Sequence, residues 1–323
     1  MTDPVTARSS PVALVGAGSM GIGWAIVFAR AGHPVALHDA DPAALDRVPA
    51  ALAARLDGLA AFGLLDEAPA VVAARVRVAS GLADALDGAV HVQENVLERR
   101  EVKAPLFAQM DRLARPDAVL ASSSSAIPVS EIAGDLPGRA RCLVAHPANP
   151  PFLLPVVELV PAPFTAADAV ARTRALMEGA GQSPVVLGRE IEGFVFNRLQ
   201  GAVLREAYCL VRDGVASVAD IDRVMTDGLG LRWSVIGPFE TSDLNYRGGL
   251  REHARRMGAA YARMGASRGQ DDPWTDDLVA AADDQRRALV PLDRWEARVA
   301  WRDRALMALA AHRRRAPGPA DPG

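Results

Sequence analysis

Cysteine is nearly missing: Cys142 and Cys209 are the only two in 323 residues, far apart and without C-x-x-C spacing. That excludes a disulfide framework and a thiolate metal site, and predicts two buried, reduced thiols and no metal. Lysine is scarcer still, with Lys103 standing alone among 36 basic residues. Neither charge sign is in excess, because 39 acidic residues leave a net charge of −3. Without a basic field, nothing drives binding to nucleic acid or to an anionic membrane surface. Long apolar runs are also lacking, with one apparent exception: Val12–Ala29 carries no charge and has the length of a membrane helix. Gly16, Gly18, Gly21 and Gly23 crowd its middle and Arg8 is the one basic side chain before it, which suits neither a spanning helix nor a secretory signal. The expectation is a cytoplasmic protein.

What is present is globular composition, 50% hydrophobic and 23% charged, over enough chain for about two domains. From Pro11 to Gly188 short β-branched runs alternate with stretches of helical spacing, the pattern of parallel strands joined by crossover helices. Strands are predicted at Val12–Val15, Val35–Asp39, Val76–Ala79, Val90–Gln93, Val119–Ser122, Arg141–Ala145 and Val156–Val160. Ala43–Phe62 and Val102–Leu113 are predicted as helices between them. After Gly193 the β-branched runs stop, and Phe194–Arg212, Val218–Thr226, Leu250–Met264, Thr275–Leu289 and Leu292–His312 read as helices. The division falls at Gly188–Gly193, giving an α/β domain at 11–188, an all-α domain at 189–312, and tails at 1–10 and 313–323. An all-α unit of this size needs a partner surface for its apolar faces, which predicts a homodimer formed through it.

The first strand runs into Gly16-Ala17-Gly18-Ser19-Met20-Gly21, and Trp24–Ala29 continues as an apolar helix. In this context Gly16 permits the tight turn, Gly18 lets the backbone approach a pyrophosphate, and Gly21 lets helix and strand pack closely. Phosphates would sit on the helix N-terminus beside Ser19 and Met20. Val35–His38 ends in Asp39, where the adenine ribose diol of a dinucleotide should lie. Asp41 is the better candidate to cap the helix that follows. A carboxylate at Asp39 repels a 2′-phosphate, so the cofactor expected is NAD, on a Rossmann-type domain with a mostly parallel sheet.

His146 follows the apolar strand Arg141–Ala145, so its imidazole belongs at the strand's C-terminal mouth, where ligands of such sheets bind. Glu158 interrupts the apolar run Pro155–Val160, where an ionised carboxylate is costly unless paired. Two arrangements fit this spacing: a His146–Glu158 dyad that leaves one ring nitrogen free to accept a proton, or a solvent-facing glutamate and a loop-held histidine. Ser122-Ser123-Ser124-Ser125 follows another strand and reads as a solvated loop or as a mouth with one hydroxyl aimed at substrate. Asn197 lies near the start of the helical half and reads as a cleft amide or as a helix-surface side chain.

These residues together resemble the 3-hydroxyacyl-CoA dehydrogenase superfamily, from Pro11 to His312. The carriers are the glycine turn, Ser122–Ser125, His146-x-x-Asn149-Pro150 with Glu158 beyond, and Gly193-Phe194-x-x-Asn197-Arg198. The resemblance implies that His146 is the general base and Glu158 its orienting partner. It implies that Ser125 and Asn197 hydrogen-bond at the reacting oxygen and nicotinamide, and that Asn149 borders the substrate. Glu98 and Lys103 match nicotinamide-side positions, although Arg99 stands where acyl-CoA members carry asparagine.

In detail the chain is similar to the lambda-crystallin and L-gulonate 3-dehydrogenase branch, through His146–Pro151, Val157–Pro161, Asn197–Gln200, Gly228–Arg232, Ile236–Thr241 and Trp301-Arg302-Asp303. Carnitine 3-dehydrogenases share a run like Gly230-Leu231-Arg232-Trp233. The lysines that hold CoA phosphates in acyl-CoA members are absent after Asp41. Arg232 is either a bidentate clamp for a free carboxylate or a helix-end arginine satisfying carbonyls or an ion pair. Trp233 is a packing residue or a face for a trimethylammonium group. The expected activity is NAD-dependent oxidation of the 3-hydroxyl of a small free hydroxy acid, or its reversal. The alternatives are a short-chain 3-hydroxyacyl-CoA dehydrogenase, a carnitine 3-dehydrogenase-like enzyme, and a non-catalytic dinucleotide-binding structural protein.

Overall fold

Apolar strands that must bury both faces need helices on each side, and the arrangement of this chain follows from that requirement. The computed structural model describes residues 10–268 and 276–298, together with Trp301 and His312. Eight strands form one sheet: β1 Val12–Val15, β2 Val35–His38, β3 Val76–Val78, β4 His91–Glu94, β5 Val119–Ser122, β6 Cys142–Pro147, β7 Val156–Pro161 and β8 Ser183–Val186. Their order is β3-β2-β1-β4-β5-β6-β7-β8. β1 to β6 run parallel, β7 pairs antiparallel with β6, and β8 runs parallel to β7. The order reverses between β1 and β4, which opens a crevice at their carboxyl ends.

The helix α1, Ser19–Arg30, is buried along most of its length, so it shows little amphipathic pattern and packs Trp24, Ile26 and Phe28 against β1 and β2. Asp41 caps α2, Pro42–Ala61, by accepting from the Ala43 amide at 3.0 Å, as its position before Pro42 predicts. The short helices α3 Pro69–Ala73 and α4 Leu82–Leu86 precede α5, Arg100–Leu113, whose Phe107 and Met110 fill the opposite face of the sheet. α6 Val129–Ala133 and α7 Ala167–Gly179 complete the layers, and α8 is Phe196–Arg212.

Besides short helices such as α3, α4 and α6, two longer or sheet-forming elements of the first unit escape the sequence pattern for physical reasons. α7 buries Ala169, Thr173 and Met177, a stripe with too little apolar contrast to stand out. β8 is an edge strand carrying Pro184 and exposing Val185 and Val186, so it neither alternates nor forms a buried run. Strand limits shift by a residue or two elsewhere, and β6 extends through His146 to Pro147.

The chain divides into two compact units between Val203 and Leu204, within α8. Gly188–Gly193 is the loop between β8 and that helix. The second unit contains α9 Val218–Val224, a π-turn at Met225–Leu229, then α10 Gly230–Trp233, α11 Pro238–Asp243, α12 Gly249–Ala266 and α13 Asp276–Leu289. The helix predicted at Val218–Thr226 thus continues through a π-turn. That predicted at Leu292–His312 shows a 3-10 turn at Leu292–Arg294, and most of its remainder lies outside the described residues. Both predicted tails lie outside them as well, except Ser10.

Candidate active site

The turn after β1 is built as its glycines require. Gly16 has φ +104°, and a Cβ there would come within 2.7 Å of the Asn95 carbonyl group. A Cβ on Gly21 would lie 1.8 Å from the Gly16 carbonyl oxygen, so α1 reaches the strand end only because this residue has no side chain. At Gly18 a Cβ would meet nothing within 4 Å: the backbone faces open space, as a turn that receives a pyrophosphate must. Asp39 joins the turn by accepting from the Ala17 amide at 2.7 Å, and its second oxygen takes the Asp41 amide at 2.9 Å. Ser19 is exposed and Met20 half-buried. Arg55 of α2 reaches Ser19 Oγ at 3.2 Å and brings positive charge to the turn. Its separation of 36 positions from Ser19 gave no sequence signal.

His146 and Glu158 are register partners across β6 and β7, and the imidazole Nδ1 lies 2.8 Å from Glu158 Oε2. The other carboxylate oxygen accepts from the backbone amides of Val195 and Phe196 at 2.7 and 2.9 Å. Burial acts to raise the Glu158 carboxyl, but the hydrogen bonds from His146, Phe196 and Val195 outweigh it and hold the group below the usual carboxylate range. The ionised carboxylate can only accept, so the neutral imidazole of His146 carries its proton on Nδ1 and leaves Nε2 free as the acceptor. Rings of Phe194 and Phe196 flank the imidazole, with centroids 5.6 and 6.3 Å away. Phe194 is fully buried at φ 49°, a left-handed conformation unusual for a bulky residue, just before the two amides that bind Glu158. Neither amide was legible beforehand, since a backbone donor leaves no mark on residue identity.

The serine run is a zipper against the end of β4 and the loop after it. Ser122 Oγ donates to Glu94 Oε2 at 2.6 Å, Ser123 Oγ to Asn95 Oδ1 at 2.7 Å, and Ser124 Oγ to Glu98 Oε1 at 2.6 Å. Ser125 differs: its amide donates to Glu98 at 2.8 Å, while its hydroxyl lies 3.4 Å away and is barely engaged. Asn197 Nδ2 donates to the Ser125 carbonyl at 2.8 Å. The sheet edge therefore brings His146, Glu158, Ser125 and Asn197 into one bonded series through the start of α8. Glu98 is held low despite partial burial by Ser124, Lys103 and the amides of Ala126 and Ser125. Lys103 is 1% exposed and enclosed by Glu94, Glu98 and the Val96 carbonyl, so it acts on the mouth by fixing its neighbours. Asn149 is exposed in the turn after β6.

In the second unit, the Arg232 side chain has neither a hydrogen-bond nor an ion-pair partner among the described residues, and its Nε is shut off from solvent. Trp233 Nε1 is likewise buried without a partner. Gly230 closes the preceding π-turn by donating its amide to the Met225 carbonyl. Among the described residues no group of three or more His, Cys, Asp and Glu side chains could hold a metal, and no helix is long and apolar enough to cross a membrane.

Residues 11–191 match the NAD-binding domain of 3-hydroxyacyl-CoA dehydrogenases, and residues 193–289 match the C-terminal domain of the same enzymes. The chain belongs to the 3-hydroxyacyl-CoA dehydrogenase family. Its relatives in that family include a lambda-crystallin homolog of Bos taurus, 43% identical over 96% of this chain and 98% of that protein. An L-carnitine dehydrogenase of Streptomyces coelicolor is 39% identical over 75% of this chain and 74% of its own. A solved structure of 5-formyl-3-hydroxy-2-methylpyridine 4-carboxylic acid 5-dehydrogenase, an NAD+-dependent dismutase, shares 31% identity with a TM-score of 0.71, covering 88% of this chain and 97% of that one. As a 3-hydroxyacyl-CoA dehydrogenase family member, the chain is an NAD-dependent oxidoreductase acting on 3-hydroxy groups. The open backbone at Gly18 and the carboxylate of Asp39 fit NAD as its cofactor.

Proposed function

We propose that this dehydrogenase oxidises the 3-hydroxyl of a small free hydroxy acid of the L-gulonate type to the 3-keto acid, or runs the reverse reduction. Bound at the glycine turn, NAD supplies the acceptor for the hydride. Gly16, Gly18, Ser19, Met20 and Gly21 hold its pyrophosphate and Asp39 its ribose. Glu98 and Lys103 shape the nicotinamide side. His146 Nε2 takes the hydroxyl proton, and Glu158 fixes the tautomer that makes this nitrogen basic. The Ser125 hydroxyl and the Asn197 amide orient the substrate oxygen, with Asn149 beside it. The single observation that carries the chemistry is the 2.8 Å contact between His146 and Glu158.

The choice of a free acid rests on Arg232, whose guanidinium is suited to a carboxylate and has no partner among the described residues. Trp233 beside it, and the carnitine dehydrogenase relative, support carnitine as a second substrate class. We further infer a homodimer: Leu204, Tyr208, Val211 and Val218 lie exposed on α8 and α9 around a cavity of about 240 Å³, a face that a second copy would cover. Two unpaired cysteines, one of them buried, suit the reducing cytoplasm.

The test is the initial rate of NAD reduction with L-gulonate, carnitine, 3-hydroxybutyrate and 3-hydroxybutyryl-CoA, each repeated with Arg232→Ala. Preference for a free acid, lost in the variant, is the expected result. If the CoA ester outruns the free acids and ignores the substitution, the acyl-CoA reading replaces this one. NADH binding without turnover of any substrate would instead favour a structural role.

A further inference from the structure

Three ionisable side chains meet behind the serine zipper, two carboxyl groups and one ammonium. Lys103 Nζ lies 2.8 and 3.0 Å from the two oxygens of Glu94 and 3.2 Å from Glu98 Oε2. Burial pushes the Glu94 carboxyl upward against the pull of Lys103, Ser122 and Val96, but it also accepts from the Ser122 hydroxyl and the Val96 amide, both at 2.6 Å, so every neighbour is a donor and the ionised form is the one that satisfies them all. Glu94 and Lys103, both closed to water, form a neutral pair. Glu98 is the surplus. Its Oε1 takes uncharged donors from Ser124, Ser125 and Ala126. The neighbouring Arg99 and Arg100 are exposed, and Arg100 donates to the Glu131 carbonyl.

The sheet order sets where this charge acts. Asp39 follows β2, the glycine turn follows β1, and Glu98 follows β4 on the other side of that turn. A dinucleotide with its ribose on Asp39 and its pyrophosphate over Gly18 extends its nicotinamide half toward the loops after β4 and β5. Oxidised nicotinamide carries a positive charge that the reduced ring lacks, while ribose, pyrophosphate and carboxamide are common to both. Every interaction with the shared parts cancels in the ratio of the two affinities. A surplus carboxylate in a partly desolvated mouth does not cancel.

We propose that Glu98 sets the preference between the cofactor's redox states, tightening binding of NAD+ relative to NADH. The inference rests on the NAD site alone and is independent of the acid substrate. A resting enzyme would hold NAD+ and release NADH readily.

The test is calorimetric titration of the full-length protein with NAD+ and with NADH, which needs no turnover. Glu98→Gln should weaken NAD+ on the order of tenfold while changing NADH by less than about threefold. Glu98→Asp retains the charge and should keep the wild-type ratio even if both affinities fall. Arg99→Ala should leave the ratio unchanged or move it further toward NAD+. Equal weakening of both ligands by Glu98→Gln, or a ratio in Glu98→Asp that shifts as far as in the glutamine variant, would overturn the proposal and leave Glu98 a positional role. If the glutamine variant fails to fold, the wild-type ratio decides: it should decline between about 20 and about 500 mM salt, and a salt-independent ratio rejects the idea.

Discussion

His146 and Glu158 meet across one antiparallel strand pair, and the carboxylate that steadies the imidazole also takes the amides of Val195 and Phe196 where α8 begins. One side chain thus fixes both the proton acceptor and the segment that carries Asn197.

Glu158→Gln tests this double role. The amide can still accept from Val195 and Phe196 through its oxygen, but it presents a nitrogen donor to His146 and removes the charge. We expect kcat to fall by about 10² to 10⁴, the usual share of general-base catalysis. NADH affinity, measured by fluorescence titration, should stay within about twofold. A variant with near-normal kcat would remove the dyad from the mechanism.

Two serines two positions apart should behave oppositely. Ser123 Oγ takes the Trp24 indole N–H and the Gln93 amide and donates to Asn95, so Ser123→Ala strands buried groups. Its cost should be about 1–3 kcal/mol, seen as a lower Tm. Ser125→Ala loses a barely used hydroxyl and should leave Tm unchanged while lowering kcat. Matching effects on Tm would mean that both are structural.

The glycine turn offers a similar contrast. Gly21→Ala places a methyl in the Gly16 carbonyl and should unfold or strongly destabilise the first unit. Gly18→Ala meets open space, so the apo protein should melt normally while NAD binding weakens. Normal NAD affinity in Gly18→Ala would contradict placement of the pyrophosphate there.

His91 gives a pH dependence of stability. It is 1% exposed, and burial depresses its pKa to about 4. The unfolded chain binds a proton near pH 6.5 that the native state refuses until about pH 4. Stability from this group is therefore complete above about 6.5 and is lost progressively as pH falls, by about 3 kcal/mol in all. Denaturant titrations between pH 7 and 4.5 should show a shallower acid loss in His91→Phe than in the wild type.

How legible all this was depends on where the information sits. β1, β5 and the glycine turn were fully readable, because Val12–Val15 and Val119–Ser122 are buried at every position and only glycine suits Gly16 and Gly21. The His146–Glu158 spacing suggested the dyad, yet only the β6–β7 register brings the two side chains together. The serines read either as a solvated loop or as a substrate mouth, because a polar run looks alike whether water or Glu94, Asn95 and Glu98 satisfy it. Arg55 and the amides of Val195 and Phe196 left no trace, since folding alone brings them to their partners.

The lone lysine has a practical consequence. Lys103 is clamped by two carboxylates and almost wholly shielded. An acylating reagent directed at lysine amines therefore has no accessible ε-amino target while the loop after β4 stays closed. A single mass increment at Lys103 would time the opening of that loop, making the protein its own clock for the breathing of the cofactor mouth.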